Sequence, residues 1–171
     1  MIVVISCGAK KATTAQPAID LYQGAFFVAM RKWARSVTKD RNIYIMSAKY
    51  GLLPASKVIE PYNLRMGQAG CVSVDTLQRQ ARALHITYEQ VIIVAGKNYL
   101  DMARQVWGDL YAPFTATPRG VLTPGMCGMG YQLQAMKQHA GHIPQASPLS
   151  DRTNTPDLPL TRSTEQPRAC E

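Results

Sequence analysis

An α/β fold is predicted for the 171-residue chain from three features: short continuous apolar runs, amphipathic stretches between them, and small or polar residues just after each run. Strands that alternate with helices pair in parallel through right-handed crossovers, so the expected architecture is a single three-layer α/β/α domain with a mostly parallel sheet of about four strands. Residues 2–6 (IVVIS) form the first strand, apolar throughout as a strand covered on both faces must be. Residues 20–36 follow as a helix, with Phe26, Phe27, Met30, Trp33 and Ala34 at helical spacing. The second strand is residues 42–47, and residues 74–84 are a helix capped by Ser73 with Asp75 in its first turn. Residues 90–95 are the third strand and residues 98–107 the helix after it. Residues 112–117 are expected as a fourth strand, and residues 128–139 as a last helix ended near Gly141.

Charge is unevenly distributed. Residues 144–171 hold three bases and four acids, which leaves 16 bases and 7 acids in residues 1–143, a net charge of +9 there. Such an excess suits a phosphate-bearing partner, a nucleotide or a nucleic acid. Residues 144–171 also carry five of the eleven prolines and no aromatic residue, so they are expected to be a disordered tail after a core domain of residues 1–143. No apolar run reaches the length of a membrane span, and the apolar start has neither the basic residues nor the length of a signal peptide; a cytoplasmic protein without a membrane partner is expected. Cys7, Cys71, Cys127 and Cys170 contain no paired spacing, and His139 and His142 lack a third ligand, so neither a metal nor another cofactor is implied.

In open α/β sheets ligands bind beyond the carboxyl ends of the strands, so the residues just past each strand are the candidates for a site. Ser6, Cys7, Gly8, Lys10 and Lys11 follow the first, a small-residue turn with two cations that fits an anion. Ser47, Lys49 and Tyr50 follow the second on what reads as a loop, and Glu60, Pro61 and Tyr62 come soon after. Proline stiffens that segment, so Glu60 is a candidate general base and Tyr62 a candidate stacking ring. The plain alternative pairs Glu60 with Lys49 or Lys57. Gly96 follows the third strand, and Arg119 opens a glycine-rich stretch that leads into the last helix. Asp20 and Tyr22 begin the first helix; Asp20 either caps it or serves as a second catalytic carboxylate.

Four segments recur in a fixed order: Ser6-Cys7-Gly8-x-Lys10-Lys11; Pro17-Ala18-x-Asp20-Leu21-Tyr22-x-Gly24-x-x-Phe27; Ser47-Ala48-Lys49-Tyr50-Gly51-Leu52-Leu53; and Ile59-x-Pro61-Tyr62. Together they resemble a domain-of-unknown-function family of small bacterial and phage α/β proteins, some described as peroxide-stress proteins. The resemblance covers residues 2 to about 140. It implies a distant similarity to uracil-DNA-glycosylase-like folds and to domains attached to deazaguanine tRNA-modifying enzymes, although the Gly-Gln-Asp-Pro-Tyr motif of the former is missing after the first strand. The activity expected is therefore a glycosylase-like hydrolase, or a base-exchanging enzyme, at an N-glycosidic bond of a nucleotide or nucleic acid. Glu60 or Asp20 would be the carboxylate, Tyr22, Tyr50 or Tyr62 the ring, and Lys10, Lys11 and Lys49 the phosphate cations. The alternative is a non-catalytic nucleotide-binding or sequestering protein, phage-encoded in one version, that uses the same basic loops.

Overall fold

A run of five residues with no polar side chain before its last position, Ile2–Ser6, cannot sit at a sheet edge without exposing its apolar side chains, and it becomes the inner strand β1. It pairs in parallel with β3 (Ile43–Ser47) on one side and β6 (Val91–Val94) on the other. The computed structural model describes residues 1–86, 91–108, 110–116, 120–122 and 128–145. Val3, Val4, Ile5, Ile43, Ile45, Met46 and Ile93 are essentially inaccessible to solvent, so the sheet is the centre of the core.

The chain leaves β1 for β3, then returns past β1 to β6, and with β4 (Gly51–Pro54) at the edge the order is β4-β3-β1-β6. Right-handed crossovers in these two opposite directions place their helices on opposite faces. Helix α2 (Ala25–Val37) packs on β1 and on α5 (Met129–Gln138); α3 (Val74–Ala83) packs on α4 (Lys97–Trp107) and on β4 (Gly51–Pro54). The expected small α/β domain with a four-stranded, mostly parallel sheet is what the chain forms. Among the described residues, no helix is long and apolar enough to cross a membrane.

Three expectations are corrected. The fourth strand is not residues 112–117: among those described, 112–116, only turns and irregular chain are seen, and Tyr111 merely bridges Ile92 in parallel. The fourth strand is β4, antiparallel to β3 and joined to it through Ala48–Tyr50, so the expected loop after the second strand is a hairpin. The helix over 20–36 is two: α1 (Ala18–Leu21) ends at Tyr22, which turns extended to bridge Lys11, and α2 starts after Gly24. Helical spacing alone does not reveal that a backbone bridge from the β1 loop interrupts the helix. Of the expected tail, Pro144 is buried and Gln145 exposed; residues 146–171 lie outside the described residues.

A minor two-stranded ladder, β2 (Gln16–Pro17) against β5 (Val58–Ile59), ties the β1 loop to the chain beyond β4. Helix α3 clamps the hairpin from the other side. Its Gln80 accepts from the Leu52 backbone N–H at 2.8 Å and donates to the Tyr50 carbonyl at 2.9 Å. Gly51 between them has φ +76°, and a Cβ there would fall on the Gln80 amide. Substitution Gly51→Ala therefore combines a left-handed backbone with loss of the clamp, and about 2–3 kcal/mol of stability is expected to disappear. Equilibrium urea unfolding checks this; Gln80→Ala should lose about 1–2 kcal/mol by removing the two bonds alone.

Candidate functional site

Reversal of strand order between β1 and β6 creates a switch point, and the loops at their carboxyl ends diverge there. Cys7 stands at that end, held by its backbone N–H donating to the Met46 carbonyl at 3.0 Å. Its sulfur lies 2.9 Å from the hydroxyl of Tyr99, in the first turns of α4, and receives the Tyr62 hydroxyl at 3.3 Å. Tyr62 is the hub of the cluster: Ser47 Oγ is 2.7 Å and the Tyr22 hydroxyl 2.9 Å from its own hydroxyl. Ser47 also accepts the backbone N–H groups of Lys49 and Tyr50, at 3.2 and 3.1 Å, so the hairpin turn orients it.

Cations cover the aromatic rings. The Lys10–Ala12 segment runs antiparallel to Leu21–Gln23 through Ala12 N–H to Leu21 O and Gln23 N–H to Lys10 O, each 2.8 Å. This places Lys11 Nζ 4.2 Å from the Tyr62 ring centre and 5.6 Å from that of Tyr22. Lys49 Nζ lies 5.0 Å from the Tyr50 ring centre, and Tyr50 meets Tyr62 edge-on at 5.4 Å. No carboxylate forms an ion pair with Lys11 or Lys49 among the described residues. Burial draws the Lys11 ammonium below its ordinary value, with the neighbouring Cys7 opposing the shift and Arg65 adding to it. Burial also pushes the phenols of Tyr22, Tyr62 and Tyr99 up, and Cys7 adds to each, so all three stay hydroxyl donors.

Of the residues singled out from sequence, Cys7, Lys11, Tyr22, Ser47, Lys49, Tyr50 and Tyr62 come together here. Ser6 does not: it is buried with its hydroxyl 3.8 Å from Met30 Sδ, on the α2 side. Gly8 admits protein where a ligand was expected, since a Cβ there would stand 3.3 Å from Phe27 Cβ and 3.6 Å from Tyr22 Cβ. Lys10 is exposed, and Gly96 is the N-cap of α4 with open space around it. Arg119 lies outside the described residues. The two carboxylates differ in situation. Asp20 is held by Arg31 at 3.1 Å, with Arg35 at 3.9 Å. Glu60 is exposed and forms no ion pair with Lys49 or Lys57; its backbone carbonyl receives the Tyr50 hydroxyl at 3.4 Å.

Tyr99 and Arg65 were missed as site residues. Tyr99 stands three positions after Gly96, behind the third strand, which was a signal of position; nothing local marks Arg65 except its closeness to Tyr62.

Because folding favours the protonated phenols, their contribution to stability is full below pH 10, the ordinary phenol value, and is expected to fall as the pH rises beyond it. Absorbance titration of tyrosinate should show a late group that ionises together with alkaline unfolding. Substitution Tyr62→Phe leaves the Ser47 and Tyr22 hydroxyls without their shared hydrogen-bond partner, and about 1–3 kcal/mol is the expected loss, read by urea unfolding.

No curated protein and no solved structure matches the chain. Residues 2–137 match the family of unknown function DUF6884, a span that contains every residue of the cysteine–tyrosine cluster and both lysines above it. The chain belongs to the DUF6884 family.

Proposed function

We propose that the loops beyond the carboxyl ends of β1, β3 and β6 bind a nucleotide, free or within a nucleic acid, and act at its N-glycosidic bond. One observation carries this reading: the half-buried Lys11 ammonium lies across two tyrosine rings at the switch point, with no carboxylate to neutralise it among the described residues. A desolvated cation without an anionic partner is unfavourable by itself and is relieved by a phosphate. Tyr22 is fully buried and serves only to pack, whereas the partly exposed rings of Tyr62 and Tyr50 offer the stacking face a base needs. Lys49, exposed over Tyr50 on the hairpin, extends the positive rim.

Bond chemistry at the anomeric carbon needs a carboxylate to activate water or to stabilise the developing positive charge. Glu60 suits the role better than Asp20. Its carboxylate is free of ion pairs among the described residues and stands two positions from Tyr62, whereas Arg31 and Arg35 occupy Asp20. A protein that only sequesters nucleotides needs the lysines and rings but not Glu60.

Two measurements test the reading. Binding of a labelled single-stranded oligonucleotide by fluorescence anisotropy should weaken about tenfold for Lys11→Ala and for Lys49→Ala, and the double variant should flatten the log–log salt slope by roughly 0.7 for each phosphate that is no longer neutralised. Unchanged affinity and slope would move the site elsewhere. Substitution Glu60→Gln should keep the melting temperature and the affinity while release of free base falls by about 10²-fold or more. Binding without any base release by the unaltered protein would leave the sequestering function.

A further inference from the structure

Two imidazoles face each other where α5 ends. His139 is the C-cap of the helix, and its Nδ1 lies 2.7 Å from Nε2 of His142. The two rings meet edge-on, with centres 4.8 Å apart. A bond between ring nitrogens needs a proton on one and a lone pair on the other. It therefore forms while at least one ring is neutral, and fails when both are protonated, because two N–H donors then point at each other.

The turn that carries this pair also fastens α5 to α2. The His139 carbonyl accepts the Trp33 indole N–H at 3.0 Å and the His142 backbone N–H at 3.4 Å. The Gly141 N–H donates to Ser36 Oγ at 2.9 Å, and Ser36 in turn donates to the Trp33 carbonyl at 2.6 Å. Phe114 lies 6.4 Å from the His139 ring, centre to centre, and both Phe114 and Trp33 are almost wholly buried. Opening the turn thus loosens contacts that reach the core.

Nothing nearby compensates a second proton. Trp33 and Ser36 from α2 and Phe114 from the 110–116 segment do not ionise in the imidazole range, and residues 143–145 carry no ionisable side chain. Arg35, between Trp33 and Ser36 in sequence, is engaged by Asp40 and Asp20, and Lys137 on α5 is exposed. No carboxylate forms an ion pair with either histidine among the described residues. Burial, with the neighbouring His142 adding to it, holds the His139 imidazole below its ordinary value.

We propose that the 139–142 turn is an acid-operated latch: the His139–His142 bond holds the end of α5 on α2, and double protonation in mildly acid solution releases it. This device lies apart from the lysine–tyrosine cluster and does not depend on the nucleotide reading. Folding favours the neutral His139 ring, so the contribution of the latch is full above pH 6.5, the ordinary imidazole value, and is lost as the pH falls below it. A helix end opens at a far smaller free energy than the whole domain, so a change of this size is felt there first.

Hydrogen exchange of the full chain, read by mass spectrometry at about pH 7.5 and about pH 5, tests the latch. Exchange times are scaled for the intrinsic pH dependence, and a chelator keeps divalent metal off the two imidazoles. Protection in peptides covering residues 139–143 is expected to fall about five- to tenfold at the lower pH, while peptides covering β1 keep theirs. His142 is exposed, so His142→Gln leaves the core in place and removes the second titrating ring. Whatever its protection near neutrality, that variant should change less than about twofold between the two conditions. Equal protection of 139–143 at both pH values, a loss spread evenly over the chain, or the same pH step in His142→Gln would overturn the proposal.

Discussion

Central placement of β1 is the constraint on which the other elements depend. Its backbone is satisfied by two parallel ladders and its side chains are covered on both faces, so neither neighbour can be removed without exposing unpaired amides and apolar surface. Parallel neighbours on both sides oblige the chain to cross in both directions, and that requirement produces the switch point. Cys7, one residue beyond β1, is delivered to the switch point by the ladder itself, because its N–H still bonds to Met46 as a strand residue would.

Around this end the fold places polar groups where an α/β domain ordinarily buries apolar ones. Four hydroxyls and a thiol share a small volume, and each hydroxyl has a partner within it. Low dielectric makes such a network rigid when complete and costly when one member is lost, so the site is coupled to the stability of the domain. Its members come from the ends of β1 and β3, the Tyr22 bridge, the segment after β5 and α4. The Gln80 clamp on Tyr50 and Leu52 links the α3 layer to the same hairpin, and the β2–β5 ladder links the Lys11 loop to the Tyr62 segment.

On the opposite face, structure is held without comparable chemistry. Trp33 donates to the His139 carbonyl at 3.0 Å and meets Phe114 edge-on at 4.8 Å, while the Gly141 N–H bonds to Ser36 Oγ at 2.9 Å. These contacts fasten the end of α5 to α2. His139 and His142 are 2.7 Å apart through their ring nitrogens, and burial together with His142 lowers the His139 imidazole from its ordinary value. Among the described residues no set of three metal-ligating side chains gathers there or elsewhere.

Much of the fold was legible before the structure. Apolar runs at 2–6, 42–47 and 90–95 identified the parallel strands, because burial on both faces demands that composition. Ser73 marked the start of α3, where its Oγ accepts the Thr76 N–H. Position after a strand was enough to single out Cys7, Lys11, Ser47, Lys49, Tyr50 and Tyr62. Other features depended on contacts with no local signature. Tyr22 leaves the helix because Lys11 bridges it, and the Gly51–Pro54 strand exists because β3 offers an open edge and Gln80 holds the turn. Ser6 and Cys7 are adjacent in sequence, yet strand alternation sends one toward Met30 and the other toward the tyrosines. Asp20 and Glu60 look alike as candidates until the fold sets Arg31 beside one and, among the described residues, no cation within ion-pair distance of the other. Tyr99 meets Cys7 across 92 positions only because β6 pairs with β1 in a register that matches Ile5 to Val94. Sequence by itself determined which segments are buried and which residue types stand at the strand ends, since composition and periodicity encode burial; tertiary structure decided which of those residues touch, since hydrogen bonds and ion pairs depend on distances that only strand register and helix packing set.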